Sequence, residues 1–226
     1  MTITLGFDVY GTLIDTAGVT QALRPLAGDG APAFAQLWRD KQLEYSFRRA
    51  LMRKYADFSV CIAQAFDYAA RAHRLDVADA ERDRLLGLYR ALPAFPDVAP
   101  GLAALSALPL RLMAFSNGRR DDVEALLARA GILDRFECVV SLLDIRTFKP
   151  DPAAYEHFRQ AAGGGEAWLV SSNAFDVIGA LAAGLKAAWV RRAASTVFDP
   201  WDMAPTAIVG GLGELAGLFR GGTATA

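Results

Sequence analysis

An acid stands directly after the first apolar run of the chain. Ile3–Phe7 ends at Asp8, and Tyr10-Gly11-Thr12 follow at once. Polar groups recur just past later apolar stretches: Ser116-Asn117-Gly118 after Leu110–Phe115, Lys149 with its neighbours after Cys138–Val140, and Ser171-Ser172-Asn173-Ala174-Phe175-Asp176 after Trp168–Val170. A carboxylate nucleophile must be charged and aimed. Lys149 suits the first need, because a nearby cation favours the ionised form of Asp8. Thr12 suits the second, as a hydroxyl donor to the same carboxylate. Taken alone, Asp8 is also an ordinary turn or capping residue. It is the recurrence at four strand ends that points to one shared crevice.

Those groups meet only if the intervening elements bring them together. Short apolar runs bounded by turn residues read as buried strands. Besides the four above, Ala187–Val190 and a weaker Ala207–Val209 fit. Helical patterns separate them. Val123, Leu126, Leu127 and Ala130 fall at i, i+3, i+4, i+7, with Asp121, Asp122 and Glu124 in the first turn and Gly131 as a stop. Asp151-Pro152 opens another helix, with proline where its missing N–H is harmless. Strands alternating with helices predict an α/β fold, a Rossmann-like doubly wound parallel sheet. In such sheets functional groups lie past the C-terminal strand ends. From about Thr16 to Leu92 the alternation lapses into helices alone, with Ile62, Ala65, Phe66 and Ala69 on one face. The predicted organisation is therefore a core of residues 1–15 and 94–220, a helical cap subdomain at 16–93, and a frayed tail at 221–226.

Charge and composition exclude several classes. The formal net charge is -1 and no long basic run occurs, Arg191–Arg192 being too small, so nucleic acid is not an expected partner. No stretch reads as a membrane span, and the opening Met-Thr-Ile-Thr-Leu-Gly-Phe-Asp carries no basic leader, so the expectation is a soluble cytoplasmic protein. Cys61 and Cys138 lie in separate apolar runs and read as buried free thiols, not zinc ligands. His73 and His157 sit in helical patterns and no nucleophile elbow of GxSxG type occurs, which disfavours a histidine-based hydrolase.

The four polar segments, Asp8-Val9-Tyr10-Gly11-Thr12, Ser116-Asn117-Gly118, Lys149-Pro150 and Ser171-Ser172-Asn173-Ala174-Phe175-Asp176, resemble the four motifs of the haloacid dehalogenase superfamily. More narrowly they resemble the L-2-haloacid dehalogenases. Leu37-Trp38-Arg39-Asp40-Lys41-Gln42-Leu43-Glu44-Tyr45, Leu51-Met52 and Tyr55-Ala56-Asp57-Phe58 match that subfamily in its helical cap. The resemblance spans nearly the whole chain, in order. It implies hydrolytic dehalogenation of short (S)-2-haloacids to (R)-2-hydroxyacids through an ester on Asp8, with water and halide as the other small partners. Thr12, Lys149, Ser171, Asn173 and Asp176 would serve the chemistry, Asp176 by pairing with Lys149 and helping to activate water.

Arg39, Asn117 and Phe175 would cradle the halide. A preorganised cation and amide donor lower the barrier where negative charge develops. Ser116 would bind the substrate carboxylate with backbone N–H groups near Tyr10 and Asn117, although Ser116 is equally placed to cap a helix over Arg119–Ala130. Asp176 likewise reads as a cap. Gln42 and Leu43 share a helical face with Arg39 at i, i+3, i+4 and, with Trp38 beside them, would form a pocket wall. Tyr155, on the helix after Lys149, reads by itself as a core aromatic; the resemblance makes it a site residue or one standing just behind the site. Family members are often homodimers. Magnesium-dependent phosphatases of the same superfamily are the alternative. They carry a second Asp two residues past the nucleophile and an acidic ligand in the fourth motif, where this chain has Tyr10 and Ser-Ser-Asn. Magnesium needs those carboxylate oxygens, so no metal and no cofactor is expected.

Overall fold

A computed structural model describes residues 2–220. The tail expectation at 221–226 lies outside the described residues. Six parallel strands form one sheet: β1 Ile3–Phe7, β2 Leu110–Ser116, β3 Cys138–Ser141, β4 Ala167–Ser171, β5 Lys186–Val190 and β6 Ala207–Val209. Their order is β3-β2-β1-β4-β5-β6. This is the doubly wound arrangement expected, with the order reversing beside β1. Each strand lies within a residue of its apolar run, since a strand covered on both faces reads as continuous hydrophobicity.

Register decides what sits together. Phe7 pairs with Ala114 on β2 and with Val170 on β4. One residue further on, Asp8 therefore emerges level with Phe115 and Ser171. Gly6, on β1, lets the sheet approach its covering helix: a Cβ there would come within 2.5 Å of Phe158 Cζ. Phe158 lies on the helix Pro152–Ala161, whose close seating draws the preceding Lys149 loop toward Asp8.

Helices α5 Val98–Ser106, α6 Arg120–Arg129, α7 Pro152–Ala161, α8 Ala174–Ala182 and α9 Leu212–Phe219 cover the sheet. Asp151 caps α7: its Oδ1 accepts the N–H of Ala153 at 3.0 Å. Gly131 adopts φ 69° after α6, the left-handed geometry that ends a helix. Cys61 is buried, but Cys138 is only half-buried, because it begins β3 at the strand's outer end.

Between β1 and β2 the chain forms α1 Ala17–Ala27, α2 Ala31–Leu51, α3 Phe58–Ala72 and α4 Asp79–Gly87, followed by a 3-10 turn at Leu88–Arg90. α2 and α3 pack along each other. Phe34, Trp38 and Phe66 meet edge to face there, with Trp38 and Phe66 centroids 5.0 Å apart. Trp38 donates its indole N–H to the Ile62 carbonyl at 2.8 Å. Trp38 is thus fully buried within the helical segment. The segment leaves and rejoins the sheet side by side. Asp15 N–H donates to Pro93 O at 2.8 Å, Phe95 N–H to Leu13 O at 3.0 Å, and Ile14 bridges Ala94.

Candidate active site

Asp8 projects from the end of β1 into a cavity also lined by Tyr10, Ser116, Asn117, Lys149, Asn173 and Phe175 from the sheet side. Arg39, Leu43 and Phe58 close it from α2 and α3. Four loops and two helices therefore converge on one carboxylate.

The two oxygens of Asp8 are treated differently. Oδ2 accepts from Thr12 Oγ1 at 2.8 Å, Asn173 Nδ2 at 2.7 Å and Ser171 Oγ at 3.3 Å. Oδ1 accepts from Lys149 Nζ at 3.1 Å. Thr12 is itself fixed, because the Ser172 N–H donates to its hydroxyl at 2.8 Å. Asn173 is oriented twice over: its N–H donates to Ser171 Oγ at 3.1 Å, and Arg39 donates to its Oδ1 at 2.9 Å.

Lys149 is a buried cation with all its donors used. Nζ reaches Asp8, Asp176 Oδ2 at 2.8 Å and the Phe115 carbonyl at 2.9 Å. Burial by itself would lower its pKa, but the carboxylates of Asp176 and Asp8 outweigh that and hold the ammonium above its ordinary value. Asp176 is fully buried, and desolvation pushes its carboxyl up, against the pull of Lys149. Nζ thus fills the space between the two carboxylates. Among the described residues no group of three His, Cys, Asp or Glu side chains is arranged to hold a metal ion.

Several expected residues sit elsewhere than direct contact. Tyr155 does not line the cavity. It is fully buried behind Asp176, donating to Asp176 Oδ1 at 2.9 Å. Gly179 on α8 makes room for it, since a Cβ there would collide with the Tyr155 ring. Gln42 is also withdrawn. It follows Trp38 by four residues and joins the buried row Phe34–Trp38–Gln42–Ser46, where its Nε2 donates to Tyr89 Oη at 2.7 Å. Arg39 and Leu43, one residue on, form the neighbouring row that faces Asp8. Asp176 is not a helix cap: Asn173 holds that position and Asp176 turns inward to Lys149. Nor does Ser116 cap α6, which begins at Arg120. Its Oγ accepts the Gly118 N–H at 3.1 Å instead, curling the loop at the cavity edge. Asn117 Oδ1 accepts the Lys149 N–H at 3.0 Å, which leaves its Nδ2 as the donor end.

Phe58 is the cavity residue that residue-by-residue reading missed. Its signal was present in the matched stretch Tyr55–Phe58, but nothing local told which way that helix start faces. Both histidines stand away from Asp8: His157 lies 3.8 Å from Asp144, and His73 packs on Phe34.

Fold and site together define a doubly wound α/β protein with an aspartate-centred site closed by inserted helices. The family of haloacid dehalogenase-like hydrolases matches residues 4–184. An (S)-2-haloacid dehalogenase of Xanthobacter autotrophicus is 36% identical, over 95% of this chain and 94% of its own. Haloacetate dehalogenase H-2 of Moraxella sp. (strain B) is 36% identical, over 83% and 85%. The solved structure of the L-2-haloacid dehalogenase from Xanthobacter autotrophicus with chloropropionic acid covalently bound superposes with a TM-score of 0.91 at 33% identity, covering 99% of this chain and all of that one. The chain belongs to the haloacid dehalogenase-like hydrolases.

Proposed function

We propose that this protein is an (S)-2-haloacid dehalogenase, which converts short (S)-2-haloacids to (R)-2-hydroxyacids and halide without a metal. The observation that carries the reading is the asymmetry at Asp8. Three donors occupy Oδ2, whereas Oδ1 has only Lys149 and keeps a lone pair for attack. The similarity to (S)-2-haloacid dehalogenases over nearly the full chain supports the substrate class.

In the first step Oδ1 bonds to C2 as the carbon–halogen bond breaks, and the halide departs with the electron pair. Arg39, the Asn117 amide and the edge of Phe175 receive it. An aromatic edge is the positive part of the ring, and preorganised donors stabilise charge where it develops. The substrate carboxylate lies against Ser116 and the backbone of Tyr10 and Asn117. In the second step water bonds to Cγ of Asp8. Negative charge then grows on Oδ2, where Thr12, Ser171 and Asn173 already point their donors. One water proton passes to the Lys149–Asp176 pair and returns to the departing alkoxide as the bond between Cγ and Oδ1 breaks; the other is released to solvent as Asp8 ionises again. C2 is attacked once, so its configuration inverts.

Residues 16–93 act in this reading as a cap that supplies Arg39, Leu43 and Phe58, over a core of 1–15 and 94–220 that carries the acid. We also propose a cytoplasmic homodimer. Free Cys61 and Cys138 suit a reducing compartment, and exposed Leu51 and Met52 at the end of α2 offer an apolar contact. A single turnover in ¹⁸O-water tests the chemistry. The label should enter Asp8, and the first product should carry an unlabelled hydroxyl. Label appearing directly in that product would end the covalent route.

A further inference from the structure

Resting on the reading above, we infer that the cleft beside the catalytic cavity is a subsite for the carbon chain of longer 2-haloacids. Its walls include Tyr10, Phe58, Ile62, Leu86, Gly87 and Tyr89. Two of these, Tyr10 and Phe58, line both spaces. The catalytic cavity itself is small, about 20 Å³, whereas the neighbouring cleft is about 320 Å³.

The geometry at C2 sends the chain that way. Carboxylate, halogen and attacking oxygen are assigned to Ser116, to Arg39 with Asn117 and Phe175, and to Asp8. The remaining wall is Tyr10, Leu43 and Phe58, so the substituent at C2 faces it. Tyr10 and Phe58 belong to both this wall and the cleft, and the Tyr10 ring lies 6.0 Å from that of Tyr89. Longer chains leave the smaller inner cavity past Tyr10 and Phe58, which line both spaces.

Charge in the cleft is neutralised locally. Arg90 pairs with Asp122 at 3.7 Å, Arg119 with Asp57 at 3.1 Å and Asp83 with Arg82 at 3.7 Å. No unpaired ionic side chain among its described lining residues asks for a second charged group. The occupant is therefore an uncharged alkyl chain lying on Phe58, Ile62 and Leu86. Burying a methylene favours binding about four-fold, so three further methylenes are worth roughly 50-fold.

The test compares kcat/KM for 2-bromohexanoate and 2-bromopropionate in the full-length enzyme, Gly87→Trp and Ser59→Trp. Gly87 has φ -64° and ψ -22°, which any residue adopts, and a Cβ there meets nothing within 4 Å. Ser59 is exposed and lines the same cleft. Neither residue lines the catalytic cavity. Each variant should keep its propionate value and lose at least about ten-fold on hexanoate, most of the methylene gain. An unchanged ratio overturns the subsite. Equal losses on both substrates also overturn it, and make the cleft a common entrance. If the unsubstituted enzyme releases bromide from neither acid, the dehalogenase reading itself fails.

Discussion

Lys149→Met removes a buried cation and leaves two carboxylates facing each other. In the native protein Nζ stands 3.1 Å from Asp8 and 2.8 Å from Asp176, with the lysine side chain 1% exposed and that of Asp176 fully covered. Methionine fills much the same volume, so packing changes little and the perturbation is electrostatic. Removing one partner of a buried pair costs about 3–5 kcal/mol, because the other charge stays uncompensated. For a chain of this size that lowers the thermal midpoint by about 6–20 °C. Adding Asp176→Asn removes the stranded charge, and the double variant should recover a substantial part of the loss while remaining inactive. Urea unfolding of the two single variants and the double at pH 7 gives the cycle, and the coupling between the sites is read directly. A neutral Lys149→Met, or a double variant no more stable than Lys149→Met alone, would refute the view that this ammonium is the keystone of the site.

Other outcomes follow from the same geometry. Asp8→Asn should abolish halide release while its circular dichroism stays native, and retained turnover would name a different nucleophile. Arg39→Gln should lower kcat by about 10²–10³, the usual loss for one stabilising donor, as measured by halide release at saturating substrate. Saturating EDTA should leave the rate unchanged, because Lys149 Nζ already occupies the space between the carboxylates; loss of rate would favour a metal-dependent phosphatase. Lys149 has its folded pKa raised above 10.5, so its contribution is intact below that value and lost as pH rises through the folded one. Turnover should accordingly persist past pH 10.5 and fall only as the pH passes the raised value, whereas the raised carboxyl of Asp176 places the acid limb above 3.8. Gly179→Ala should destabilise by about 1–3 kcal/mol, the usual overpacking cost, against the gain that alanine ordinarily brings to a helix; a higher thermal midpoint would show that Tyr155 is not held against Asp176 as described.

The sheet was legible because a strand buried on both faces writes itself as an uninterrupted apolar run, and each polar residue that ends such a run is placed by register alone. Asp8, Ser116 and Ser171 needed nothing further to be brought together. The helical segment was harder. Its helices were visible, but which row of α2 faces the acid depends on how α2 lies along α3, and spacing within one helix does not carry that. Gln42 and Arg39 are three residues apart and equally polar, yet one completes the row under Trp38 and the other reaches Asn173. Whether Tyr155 touches substrate or stands behind Asp176 does not follow from its helix coming after Lys149, because the gap at Gly179 that admits it lies on another helix. Tyr89, which backs Tyr10, had no local signal. Its meaning comes only from the return of the chain past Trp38.

The paired crossing at Leu13–Asp15 and Pro93–Phe95 makes the helical insertion topologically cheap. Its two ends are already held together by backbone hydrogen bonds, so to the sheet it is a closed loop whatever its contents. Doubling the length of such a loop raises the closure cost by only about 0.6 kcal/mol. The register of β1 against β2 and β4 therefore does not depend on what is threaded between them. One catalytic floor of this design can carry roofs of quite different size, and selectivity can be rebuilt above Asp8 without redrawing the carboxylate or its lysine.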